Sequence, residues 1–186
     1  DSIYTKYVID SRNKISNKQY KSAPSLRQAF IGNEIIAENE KFNSEILTLM
    51  EFSSNKKDIE FTYTLPFSNK NALVETTLFT KNPSFTHIQK LHNQLLLKYK
   101  KFRFIKKESG VLPMILSRES IDNNNIPIGL SAGMARPSTG YSMMRIAQWV
   151  KSIENNKIES NNIKRFEFKP NKLLEWFDSI FLTVCY

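Results

Sequence analysis

The chain has 186 residues, a length suited to one domain, and its 40% hydrophobic and 12% aromatic content supports a packed core and excludes wholesale disorder. Its 27 basic against 18 acidic side chains leave a formal charge of +9, but the lysines are scattered in short clusters such as Lys98 to Lys101 and Lys106–Lys107. Without aromatic interleaving or zinc-finger spacing they form a solvated surface, and no nucleic-acid partner is expected. A single cysteine, Cys185, rules out an intramolecular disulfide, fits a reducing cytoplasm, and reads as a buried, inert thiol. No apolar run is long enough to span a bilayer, which leaves peripheral attachment open.

In chain order, Tyr7 to Asp10 reads as a short strand followed by a polar loop holding Pro24. Gln28 to Ile36 is extended and Glu38 to Ser44 turns. Three β-rich runs follow at Ile46 to Phe52, Ile59 to Pro66 and Ala72 to Phe79, with polar breaks over 53–57 and 68–71 that predict hairpins and an antiparallel sheet. Ser84 caps a helix that ends near Tyr99 and presents Phe85, Ile88, Leu91 and Leu95 on one face. Phe102 to Ile105 and Val111 to Leu116 are extended, the second around Pro113, and residues 122–125 turn into a strand leading to Gly129. A helix after Gly140 is expected to bury Met143, Ile146, Ala147, Val150 and Ile153.

Residues 155–162 read as a polar linker. Pro170 suits the first turn of a final helix carrying Leu173, Leu174, Trp176, Phe177, Ile180, Phe181 and Val184. That helix is apolar around too much of its circumference for a solvated one. Packing against a further part of the protein, a channel wall and a membrane contact are the readings it leaves. The pattern predicts an α/β or α+β fold, with residues 1–154 as one region and 155–186 as a linker and apolar helix.

The most informative stretch is Gly129 to Ser142, reading G-L-S-A-G-M-A-R-P-S-T-G-Y-S. It joins an apolar strand to an amphipathic helix, and helix starts offer unpaired N–H groups and a positive dipole end to a phosphate or an electron-rich ring. Pro137 stops the preceding structure, Ser138 or Thr139 can cap, and Gly140 admits close approach to the backbone. An ordinary, well-capped junction accounts for the same residues.

Together with Tyr7 to Arg12, Gln28 to Gly32, Leu49 to Phe52, Phe61 to Phe67, Leu73 to Thr77 and Glu108 to Met114, this segment resembles, in order and spacing, the lycopene cyclase family. These flavoproteins close the ends of linear carotenoids into β-rings. The resemblance runs from about Tyr7 to the helix after Gly140 and continues weakly to the end. It implies a substrate-binding antiparallel sheet and a flavin-contacting segment over 129–142. It further implies reduced FAD with NAD(P)H as reductant, lycopene or a related linear carotenoid as substrate, and peripheral attachment to a cytoplasmic membrane surface. The family's opening G-x-G-x-x-G turn has no counterpart here, and the chain, which starts near a strand and stops inside an apolar run, reads as the middle of a longer flavoprotein.

Ring closure needs an acid held against a greasy polyene, and a carboxyl among hydrocarbon keeps its proton to higher pH. Glu75 interrupts an apolar strand, with Leu73, Thr77 and Phe79 on its side, and is the candidate acid. Its segment resembles the family's acidic motif, with Thr76 where relatives often carry a second acid, so a single carboxyl remains. Glu108, after two lysines, reads equally as a charged turn. Asp10 and Arg12 resemble a position near the flavin, and Glu51 reads as strand-edge packing or a salt bridge.

Contacts to flavin are expected from Gly129, Gly133, Pro137, Thr139, Gly140 and Tyr141, mainly through backbone amides, since Leu130 supplies no side-chain ligand. His87 and His92 do not share a helix face, and no metal site is expected. A related flavin-dependent monooxygenase or isoprenoid reductase, and a non-catalytic module, are the alternative readings.

Overall fold

The computed structural model describes residues 4–12, 25–53, 58–119, 125–155 and 166–186, so the Pro24 loop, residues 54–57, the turn at 122–124 and most of the 155–162 linker lie outside the described residues. The chain forms two compact units, one of Arg27–Leu112 and one of Asp1–Leu26 with Pro113–Tyr186. The architecture is mixed, with a five-stranded antiparallel sheet and three helices, as expected of an α+β fold.

The Arg27–Leu112 unit is built on β2 (Leu26–Ala37), β3 (Thr48–Phe52), β4 (Ile59–Pro66), β5 (Asn71–Thr80) and β6 (Phe102–Met114), in the order β3-β4-β5-β2-β6. Alternation along the strands separates two faces. Ala29, Ile31, Ile35, Val74 and Leu78 point to one of them, where α1 (Phe85–Leu96) lays Ile88, Leu95 and Leu96. Ser84 caps this helix through the His87 N–H at 3.3 Å, and a 3₁₀ turn at Leu97–Tyr99 finishes it. Phe85, expected in the buried stripe, is exposed, and His92 takes a buried place on the helix.

Strand β6 runs unbroken for 13 residues through the lysines and Glu108, where sequence suggested two extended pieces around a turn. The ring of Phe30 lies 3.0 Å from where a Cβ of Gly110 would stand, so a side chain there would crowd it. Gly110 thus lets the strand pass Phe30 without bending away.

In the other unit, β1 (Val8–Asp10) pairs in parallel with β7 (Asn125–Pro127), and Val8, Ile9 and Asp10 stand opposite Asn125, Ile126 and Pro127. Ile126, Ala132, Met134, Trp149, Phe166 and Phe168 form its core, with Tyr7, Ile128 and Ile153 packed against them. Helices α2 (Met143–Asn155) and α3 (Lys172–Cys185) complete it.

The face of α2 differs from expectation. Met143 is 77% exposed, and Ile146, Ala147 and Val150 face solvent as well, while Arg145 and Trp149 turn inward with Ile153. Polar anchoring sets this rotation. Trp149 Nε1 donates to the Phe166 carbonyl at 2.7 Å, and the Arg145 guanidinium donates to the carbonyls of Gly133 and Ala135 at 3.0 and 3.4 Å. Asn171 caps α3, accepting from the N–H groups of Leu173 and Leu174, so Pro170 lies just outside the first turn where sequence had placed it.

Candidate active site

Glu75 sits in the middle of β5, the central strand of the sheet, on the face turned away from α1. The register puts Tyr63 of β4 directly opposite it on one side and Gly32 of β2 on the other. Leu73, Thr77 and Phe79 share its face by alternation. Phe61 and Phe79 meet edge to face at 5.2 Å between centroids and are buried with Thr77, while Tyr63 and Glu75 are half-buried. The result is a carboxyl at the margin of an aromatic, largely dehydrated patch.

Burial raises the pKa of Glu75 above the ordinary carboxyl value. The Thr77 hydroxyl, donating to Glu75 Oε1 at 2.6 Å, opposes that rise by stabilising the anion, and the negative charge of Glu108 adds to it. The Tyr63 phenol is pushed up as well, first by burial and then by Glu75 and Glu108. Glu108 itself is half-buried in β6, so the charged-turn reading is corrected: it stands within the sheet, reaching over Gly32.

Thr76, in the place where relatives often carry a second acid, points the opposite way. It is buried against α1, where His92 Nδ1 lies 3.1 Å from its hydroxyl and His92 Nε2 lies 2.8 Å from Asn33 Oδ1. Asn33 Nδ2 donates to the Lys106 carbonyl at 3.4 Å, which leaves Oδ1 to accept from Nε2–H and Nδ1 to accept from Thr76. His92 is therefore neutral, and burial, helped by the charge of Lys107, lowers its pKa from 6.5 to about 4. This chain ties β5, β2 and β6 together directly behind Glu75, Gly32 and the Glu108 strand. Nothing in the spacing of His92 signalled it, because Asn33 is 59 residues away in sequence.

The six glycine-segment candidates all lie in the other unit. Gly129, Gly133 and Gly140 adopt φ of 64°, 67° and 75°, the left-handed region that favours glycine. The turn opens just past the carboxyl ends of the parallel strands β1 and β7, and Ser131 Oγ donates to the carbonyl of Arg12. Asp10, buried at the end of β1, accepts from the Arg12 N–H at 3.0 Å and from its Nε and Nη2 at 2.9 and 2.7 Å. Structure thus brings Asp10, Arg12 and the start of the glycine segment together.

Further along, the N–H groups of Thr139 and Gly140 donate to the Arg136 carbonyl at 3.2 and 2.7 Å, and Tyr141 N–H donates to Thr139 Oγ1 at 3.3 Å. Those amides close the turn upon itself. A Cβ built at Gly129 would meet nothing within 4 Å, so open space borders the backbone there.

Asp178 of α3, fully buried, holds the second half of the segment. It accepts from Arg136 Nη2 at 2.7 Å, Ser138 Oγ at 2.5 Å and Arg145 Nη2 at 3.4 Å. Burial lowers the Arg145 pKa, and the charge of Asp178 opposes that. Sequence did not single these side chains out, although Asp178, one of two acids in a largely apolar helix, is a signal of the same kind as Glu75. Glu51, by contrast, accepts from Thr62 Oγ1 at 3.2 Å at the sheet margin, which is its strand-edge reading.

A model of the lycopene cyclase protein family matches residues 1–164, nearly nine-tenths of the chain and every element except α3. The chain belongs to the lycopene cyclase family. No curated protein matches it. Lycopene cyclase membership makes it an enzyme chain of carotenoid cyclisation with a carotenoid as the substrate class. No helix among the described residues is long and apolar enough to cross a membrane.

Proposed function

We propose that this lycopene cyclase closes the linear ends of lycopene into β-ionone rings, a redox-neutral isomerisation begun by proton transfer from Glu75. The observation that carries this reading is the half-buried Glu75 carboxyl, its pKa raised by burial, beside the buried aromatic patch on the sheet face turned away from α1. The Glu75 O–H bond breaks as its proton adds to a terminal alkene carbon. A second alkene attacks the resulting cation, and a different ring proton passes to the Glu75 carboxylate, which leaves the ring double bond and restores the acid. Dehydration of the patch raises the acid's pKa and keeps water from quenching the cation.

The same reading places reduced FAD, maintained by NAD(P)H, against the start of the glycine segment. Support comes from the open space beside Gly129 and the nearby carboxyl ends of two parallel strands. Reduced flavin supplies an electron-rich ring that stabilises positive charge. Gly129 would border its edge, Arg12 would flank it, and Gly133, Pro137, Thr139, Gly140 and Tyr141 would shape the turn.

Peripheral membrane attachment fits a membrane-dissolved substrate. The +9 charge and the exposed apolar residues of α3, among them Trp176 at 56% exposure, Phe177, Ile180 and Val184, support it.

Pigment chromatography of lycopene-accumulating cells that express the protein tests the assignment. β-Carotene is expected with the native chain and lycopene alone with Glu75→Gln. Conversion by both would move the acid elsewhere, and a product oxidised or reduced overall would favour a monooxygenase or reductase.

A further inference from the structure

Register places Tyr63, Glu75 and Gly32 side by side across three strands, and Glu108 continues the row from β6. Gly32 is the member without a side chain. A Cβ there would stand 3.1 Å from Glu108 Cγ, 3.3 Å from Glu108 Oε1 and 3.3 Å from Leu73 Cδ1. The space a side chain would fill is therefore occupied by the Glu108 carboxyl, leaning from β6 toward Glu75. On the opposite face, the bonded chain of Thr76, His92, Asn33 and the Lys106 carbonyl holds the three strands in this alignment.

Resting on the Glu75 assignment above, we propose that Glu108 is a positioning residue that acts through Glu75: lodged over Gly32, its negative charge keeps the proton on Glu75 until substrate arrives. Two half-buried carboxyls separated by one strand resist ionising together, so a charge held on Glu108 favours the protonated form of Glu75. The direction agrees with the Glu108 charge raising both Glu75 and Tyr63. Among the described residues, the other titratable side chains that alternation sets on this face are Tyr63 of β4, Glu34 of β2 and Lys106 of β6. Glu34 accepts from Asn71 Nδ2 at 3.1 Å, and Lys106 is exposed, where solvent screens its opposing charge. The second carboxyl that position 76 lacks is thus supplied from another strand, 33 residues along the chain.

The test is the pH profile of cyclisation by the full-length holoenzyme, recorded beside the infrared carbonyl band of protonated Glu75, identified by its loss in Glu75→Gln. In Glu108→Gln the pH at which activity and the band fall by half is expected to drop by about one unit. Gly32→Ala, which displaces the Glu108 side chain, should move both the same way. Glu108→Asp, which keeps the charge, should stay near the native profile.

An unchanged midpoint in Glu108→Gln overturns the proposal, as does Glu108→Asp behaving like Glu108→Gln. Native-level activity in Glu75→Gln would instead remove the Glu75 assignment, which the Glu108 variants do not test.

Discussion

Glu75, half-buried on one face of the sheet, and His92, buried on α1 against the other, are shifted by burial in opposite directions because burial disfavours whichever form is charged. For Glu75, the folded value lies above the unfolded one. Its contribution to stability is therefore complete below pH 4.5 and is lost as pH rises through the folded value. Glu75→Gln should thus gain stability relative to the native chain as pH rises above 4.5, measured by urea midpoints, while losing on the order of 10²-fold or more in cyclisation rate. For His92 the folded value, about 4, lies below 6.5. Its contribution is complete above pH 6.5 and is lost as pH falls toward 4, a difference of roughly 3 kcal/mol. His92→Gln should flatten that acid limb of the stability profile; a native-like limb in the variant would show that other groups govern it.

Among the elements, one side chain on α3 ties α2 to the second half of the glycine segment. Asp178 satisfies Arg136, Arg145 and Ser138 at once, and truncation would leave the Arg145 guanidinium buried without its counter-charge. Asp178→Ala should cost about 3–5 kcal/mol by chemical denaturation, and Asp178→Asn less, because the amide oxygen still accepts. Gly129 belongs to the same segment but carries a different constraint. With φ at 64°, Gly129→Ala should cost about 1–2 kcal/mol from backbone strain alone. If flavin lies against the open space beside it, the variant should also lose bound flavin absorbance at temperatures where it remains folded. Full flavin content would exclude close approach there.

For the whole molecule, the apolar residues of α3 and α2 that face solvent matter more than any single contact. Trp176, Phe177, Ile180, Val184, Met143 and Met144 are all exposed in a chain of strong positive charge. Flotation with vesicles containing anionic phospholipid should carry the protein upward at low salt and less so at high salt. Trp176→Ser combined with Phe177→Ser should reduce flotation without lowering the unfolding midpoint, since both side chains are at least half exposed. Equal flotation of the double variant would place the attachment elsewhere.

Much of this organisation was legible in the amino-acid order. The β-rich runs, their polar breaks, the Ser84-capped helix and the acid interrupting the strand at Glu75 are local signals, expressed within a few residues of chain. The ordered motifs likewise point to the lycopene cyclase family. What the sequence could not express was how distant residues meet. The buried face of α2 turned on Arg145 and Trp149 finding partners, one of them 33 residues away, and apolar periodicity carries no information about such polar anchors. Glu108 read as a turn because lysines precede it, whereas the gap at Gly32 draws it into the row beside Glu75. Periodicity and capping act along the chain, so sequence by itself determined the elements and the candidate acid. Charge pairing and side-chain fit act across it, so only tertiary structure decided which faces are buried and which groups surround Glu75.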